Sequence, residues 1–157
     1  MRTLTLALAT VVLPLVGACL GGGGSGGDDG SDDVVNCATE TADQFTVGLE
    51  KMGTVLDVKL MSALPAPPSR GDNEWIIHIN TVAGAAPVTG ATIDVTPFMP
   101  KHMHGTPVDV TIQAMPNAGE YKLSPVNLWM PGVWETTIEM SSTSGTDSVV
   151  YKFCIPS

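Results

Sequence analysis

Glu74-Trp75-Ile76-Ile77-His78-Ile79-Asn80-Thr81-Val82 is the stretch from which the fold is read. Trp75, Ile77 and Ile79 fall on one face and Ile76, His78 and Asn80 on the other, a period of two that marks a half-buried strand. Upstream, Thr54 to Ser62 sets Leu56, Val58 and Leu60 against Val55, Asp57, Lys59 and Met61. Between the two runs, Pro65, Pro67, Pro68 and then Ser69-Arg70-Gly71-Asp72-Asn73 make a rigid turn region.

Downstream the alternation recurs. Ala91, Ile93 and Val95 form one inner face, and Val108, Val110, Ile112 and Ala114 the next. Tyr121-Lys122-Leu123 and Val126 to Met130 follow, then Trp134, Thr136, Ile138 and Met140, then Val149, Tyr151 and Phe153. Turn residues at Gly84–Gly90, Pro116–Glu120, Pro131-Gly132 and Ser141–Asp147 separate them. Asp43 to Met52 alternates only weakly before Gly53. With no helical period of any length, the pattern predicts an all-β fold, an antiparallel β-sandwich of about seven strands.

The 157 residues suffice for one ordinary domain, and 43% hydrophobic against 15% charged residues suits a folded core. A net charge of -9 repels nucleic-acid phosphates and anionic headgroups, so no nucleic-acid partner is expected. Met1-Arg2 followed by the apolar run Leu4 to Val16 and the slim Val16-Gly17-Ala18 describes a secretory signal peptide. Leu15-Val16-Gly17-Ala18-Cys19 further resembles a bacterial lipoprotein signal, which implies that Cys19 is acylated and anchors the protein to a membrane. Leu20 stands where Asp would suggest inner-membrane retention in a diderm, a lean toward the outer membrane. Gly21 to Asp33 is a Gly, Ser and Asp tract that reads as a solvated flexible linker; its carboxylates lack the spacing of a calcium loop. The organisation is thus a signal peptide at 1–18, a lipidated Cys and linker at 19–36, and a folded domain at 37–157. With Cys19 taken by lipid, Cys37 and Cys154 remain as a pair, and an exported location favours a disulfide between them.

Pro97-Phe98-Met99-Pro100-Lys101-His102-Met103-His104-Gly105 packs two of the three histidines and two of the eight methionines into nine residues. Thioether and imidazole are neutral ligands suited to copper, the thioether above all to Cu(I). Met99, His102, Met103, His104 and Met130 are therefore the candidate ligands. If residues 102–104 are extended, the two histidines share a side and Met103 faces away. Met99-Pro100 and Met130-Pro131 make two rigid corners, which the fold class leads one to expect facing each other across the end of the sandwich. The bland reading stands beside this one: Met99 and Met130 plug the end of the core while His102 and His104 are solvated. His78 reads as a surface residue, and Trp129 and Trp134 as core anchors. There is no Gly-x-Ser-x-Gly elbow and no His-Glu-x-x-His, so an enzyme is not expected.

The strands and turns together resemble the YtkA-like family, related to FixH. The resemblance rests on Pro65-Ala66-Pro67-Pro68 before Gly71-Asp72-Asn73-Glu74-Trp75, then Gly90-Ala91, then Phe98-Met99-Pro100 with His102 and His104-Gly105. Gly119-Glu120-Tyr121 and Leu128-Trp129-Met130-Pro131-Gly132-Val133-Trp134 complete it, so that it runs from about Phe45 to Phe153. It implies an immunoglobulin-like sandwich outside the cytoplasm, exported or anchored at a bacterial membrane, with copper handling known for some relatives. Met103 between the two histidines departs from the usual Met-Pro-x-His-x-His loop. Two functions follow: copper binding through the Met/His loop, or a structural module that docks an envelope protein and holds no metal.

Overall fold

The computed structural model describes residues 34–157. The expected signal peptide at 1–18, the expected lipidation site Cys19 and the expected linker as far as residue 33 lie outside the described residues. The described chain contains nine strands and no helix: β1 (Leu49–Met52), β2 (Leu56–Leu64), β3 (Gly71–Thr81), β4 (Thr92–Met99), β5 (His104–Gly105), β6 (Thr111–Ala114), β7 (Glu120–Leu128), β8 (Gly132–Ser142) and β9 (Gly145–Ile155). They form two antiparallel sheets, ordered β1-β2-β3-β7-β6 and β5-β4-β8-β9. This is the expected β-sandwich, with nine strands rather than about seven. The additional strands are the four-residue β1 and the two-residue β5, too short for alternation to declare them.

The period of two holds where it was strongest. Leu56, Val58 and Leu60 of β2, Trp75, Ile77 and Ile79 of β3, and Trp134, Ile138 and Met140 of β8 are buried. Trp75 meets Tyr151 and Phe153 across the sandwich, edge to face, with ring centroids 6.1 and 5.5 Å apart. Each such side chain removed from water contributes roughly 1.5–3 kcal/mol against the entropy of ordering it. The phase slips in β7, where Tyr121 and Leu123 are buried and then Val126 and Leu128. Asn73 faces Val126 while Trp75 faces Leu123, so Ser124-Pro125 carries one extra residue, a bulge. Two apparent strands, Tyr121–Leu123 and Val126–Met130, are therefore one, ending at Leu128. The expected inner face at Val108, Val110, Ile112 and Ala114 is corrected to the short edge strand β6; Val108 and Ala114 are exposed, because an edge strand at the sheet margin has little to cover it.

Two devices fix the margins. Cys37 and Cys154 form the expected disulfide across 117 residues of chain, with Cα atoms 5.5 Å apart. The segment it holds is laid on β9: Asp43 N donates to Lys152 O (2.7 Å), and Lys152 N donates to the Asp43 carboxylate (2.8 Å). At the other end, the Asp147 carboxylate accepts from the N–H groups of Val55 (2.7 Å), Leu56 (3.0 Å) and Ser148 (3.0 Å), tying β9 to the β1–β2 turn. Gly53 is required there, since a Cβ would strike that carboxylate.

Burial pushes the Asp147 carboxyl up, but the backbone donors of Val55, Leu56, Ser148 and Thr54 together outweigh it and leave its pKa below the usual value. A carboxyl lowered by folding contributes stability above the unfolded pKa of about 4 and loses it as pH falls through the folded value. Asp147→Asn is expected to cost about 1 kcal/mol at pH 7. Urea midpoints should show the gap from wild type closing below about pH 4.

Candidate metal centre

β4 turns back through Pro100–Met103 into β5, pairing Met99 with His104 and Phe98 with Gly105. The turn is closed by His102 N donating to Met99 O (3.2 Å) and Met103 N to Pro100 O (3.3 Å). Met103 adopts φ 55°, a left-handed conformation that costs a non-glycine residue about 1–2 kcal/mol. Residues 102–104 are therefore not extended, which corrects that expectation. A hairpin this tight needs the reversal that Met103 supplies. The histidine rings nevertheless meet, with centroids 5.8 Å apart and planes at 50°. Met103 is 78% exposed at the tip.

His104 is held in one orientation. Its Nδ1 lies 3.0 Å from the Gly105 carbonyl oxygen. A carbonyl only accepts, so Nδ1 carries the proton and Nε2 keeps its lone pair. The ring stacks on Trp129 (5.3 Å, 27°) and meets Trp134 edge-on (6.2 Å, 70°). A ring N–H fixed by a backbone carbonyl, with the opposite nitrogen open, is the usual orientation of a metal-ligating histidine. Trp134 is the expected core anchor, fully buried, and its Nε1 donates to Met130 O at 2.9 Å. Trp129 is not. It is 40% exposed, because β7 ends at Leu128 and no pleat remains to turn it inward. Its indole covers His104 instead.

Met99, with no exposed surface, lines a cavity of about 400 Å³ together with Lys101, His102, Trp129 and Met130. The two Met-Pro corners therefore do border one space at this end of the sandwich. His104 is not part of that lining, but its ring meets two residues that are, His102 and Trp129. Among the described residues, no group of three or more His, Cys, Asp or Glu comes together, and the soft donors gathered at this end are imidazole nitrogen and thioether sulfur. His78 is elsewhere engaged, its Nε2 3.1 Å from Ala118 O on the five-stranded sheet.

Gly132, at φ 132°, is what admits Met99: a Cβ there would lie 2.6 Å from Met99 Cε. Gly132→Ala is expected to displace that thioether and cost about 1–3 kcal/mol, from overpacking and a backbone conformation alanine resists. Thermal unfolding reads the loss, and the native fold should persist.

Sequence reasoning missed Arg70 and Glu40, which border the same cavity. The available signal was that Arg70 is the only arginine after residue 2. Its position is set by Asn73, buried on β3, whose Nδ2 donates to Ser69 O (2.8 Å) and whose Oδ1 accepts from Ser69 N (3.0 Å). Arg70 Nε then donates to Trp129 O at 2.9 Å.

A family model described as YtkA-like matches residues 50–139, more than half of the chain. The chain belongs to the YtkA-like family. The YtkA-like match takes in the whole β4–β5 hairpin and the Trp129–Trp134 segment, and so includes Met99, His102, Met103, His104 and Met130. Cys37 and Cys154 fall outside it. No curated protein matches the chain. Two solved structures are similar to it, each at 11% identity and a TM-score of 0.47. One is a copper-bound variant of FetP from uropathogenic Escherichia coli strain F11, with 69% of this chain and 95% of that one covered. The other is FetP of the same strain "as isolated", with 72% and 97% covered. Neither likeness bears on what this chain binds.

Proposed function

We propose that this YtkA-like domain is a non-enzymatic, extracytoplasmic metal-binding module, anchored by lipid at Cys19, that holds copper at the end of the sandwich bearing the Met/His hairpin. The observation that carries the reading is the fixed His104 imidazole. Its Nδ1–H is spent on Gly105 O, its ring is stacked on Trp129, and His102 lies 5.8 Å away beside a cavity lined by two methionines. His102, His104, Met99 and Met130 would supply nitrogen and soft sulfur without adding charge, a donor set that fits copper, Cu(I) above all. Met103 is exposed at the tip and contributes to this set least. The leader residues and the Cys37–Cys154 disulfide support an exported location.

Titration with Cu(I) against a competing chelator tests the reading. His102→Ala/His104→Ala is expected to weaken binding at least 100-fold, about 2.7 kcal/mol, with the fold intact. Equal binding at micromolar strength or weaker by both proteins would end the copper reading. The exposed Trp129 and Met103 at the same end favour a second one, in which this end docks an envelope protein without metal. Copper-independent association with an envelope protein, abolished by Trp129→Ala and untouched by the histidine changes, is the outcome that would select it.

A further inference from the structure

The cavity is larger than its metal needs. At about 400 Å³ it falls in the range of small-molecule sites, whereas a single water takes about 30 Å³ of liquid. Its rim also carries charge of a kind rare in this chain. Of the lysines, Lys51, Lys59, Lys122 and Lys152 each pair with a carboxylate on the sheet surfaces, and Lys101 lies in the same cavity lining as Arg70. Arg70 pairs with none among the described residues: its Nε is spent on the Trp129 carbonyl, and its terminal nitrogens keep their donors. The bond to Trp129 O and the Asn73 bonds to Ser69 hold that guanidinium at the cavity beside His102 and the two methionines.

A planar guanidinium with both terminal nitrogens open is built for a carboxylate, which it grips through two parallel hydrogen bonds. In a protein of net charge -9, a free arginine fork at a cavity is a selective feature and not part of a general basic surface. We propose that the cavity takes the metal together with a small carboxylate ligand, whose carboxylate is bound by Arg70 and whose remaining donors stay on the metal. This rests on the metal reading above. Carboxylate oxygen suits Cu(II), and imidazole serves both oxidation states, so the complex is one that His102 and His104 can accept. Glu40, in the same lining, gives an acceptor for an N–H or O–H of the ligand. A hydroxycarboxylate and an amino acid share this chemistry.

Equilibrium dialysis separates the two and tests the proposal. The protein is dialysed against radiolabelled citrate, and in a parallel arm radiolabelled histidine, with and without one equivalent of Cu(II). One of the two carboxylates is expected to be retained at close to one per protein with copper, and at least tenfold less without it. Arg70→Gln should reduce that retention at least tenfold and Arg70→Lys partly, because lysine keeps the charge and loses the fork. Copper bound in the absence of either carboxylate should change less than twofold in both variants. Copper retained while neither citrate nor histidine is retained with it would overturn the proposal and leave the metal reading standing, as would carboxylate retention by Arg70→Gln equal to that of the wild type. A carboxylate held without copper would also overturn it; copper retained in no arm would overturn it too, and the Cu(I) titration would then decide the metal reading by itself.

Discussion

Trp134→Ala is expected to lower the unfolding free energy by about 3–5 kcal/mol, the range for deleting a large buried aromatic whose site cannot collapse. Trp134 is fully buried on β8, opposite Phe153 of β9, and stands between the core and the hairpin. For a domain of this size the loss corresponds to roughly 10–20 °C in the unfolding midpoint. The site should suffer with it, because the ring edge meets His104 and the indole N–H satisfies the Met130 carbonyl. Trp134→Phe separates the two contributions. It keeps most of the apolar volume and deletes the donor, so a smaller loss of about 1–3 kcal/mol is expected from the stranded carbonyl. Urea denaturation of both variants measures this. A loss below about 1 kcal/mol for the alanine variant would show that Trp134 is not the anchor described.

Removing the disulfide should cost a comparable amount. Cys37 and Cys154 close 117 residues of chain, and in the chain-entropy account such a loop withdraws about 5 kcal/mol of freedom from the unfolded state, an upper figure. Cys37→Ala/Cys154→Ala is expected to lose about 2–5 kcal/mol, read as a lower denaturant midpoint. Reductant should reproduce that shift in the wild type and leave the variant unmoved. The effect reaches the candidate site too, because Val35 and Glu40, on either side of Cys37, border the cavity. Releasing the tether frees one wall of it. Unchanged midpoints with and without reductant would contradict this account.

What the sequence could reveal followed from where burial enforces a period. Trp75, Ile77 and Ile79 must face inward together, and a one-residue slip would turn them all to solvent, so their alternation is unambiguous. The bulge at Ser124-Pro125 broke the same logic in β7 by shifting the phase mid-strand, and one strand looked like two. Asn80 and Asp57 lie on outer faces as their alternation required, yet both are buried, for cover on the outside of a sheet leaves no periodic trace. At the site, Met99, His102 and His104 were legible because six consecutive residues of one hairpin contain them. Met130 followed from the second Met-Pro corner. Arg70, Glu40 and the outward turn of Trp129 were not legible, since each depends on loops far apart in sequence meeting at one end of the sandwich.

The most direct test of the copper centre is X-ray absorption at the metal edge on the protein loaded with one equivalent of Cu(I). A first shell containing both imidazole nitrogen near about 2.0 Å and sulfur near about 2.3 Å is predicted, the bond lengths of first-row metals to such ligands. The sulfur component should diminish in Met99→Leu/Met130→Leu, and the imidazole component in His102→Ala/His104→Ala. A shell of light scatterers alone, identical in all three proteins, would contradict the account.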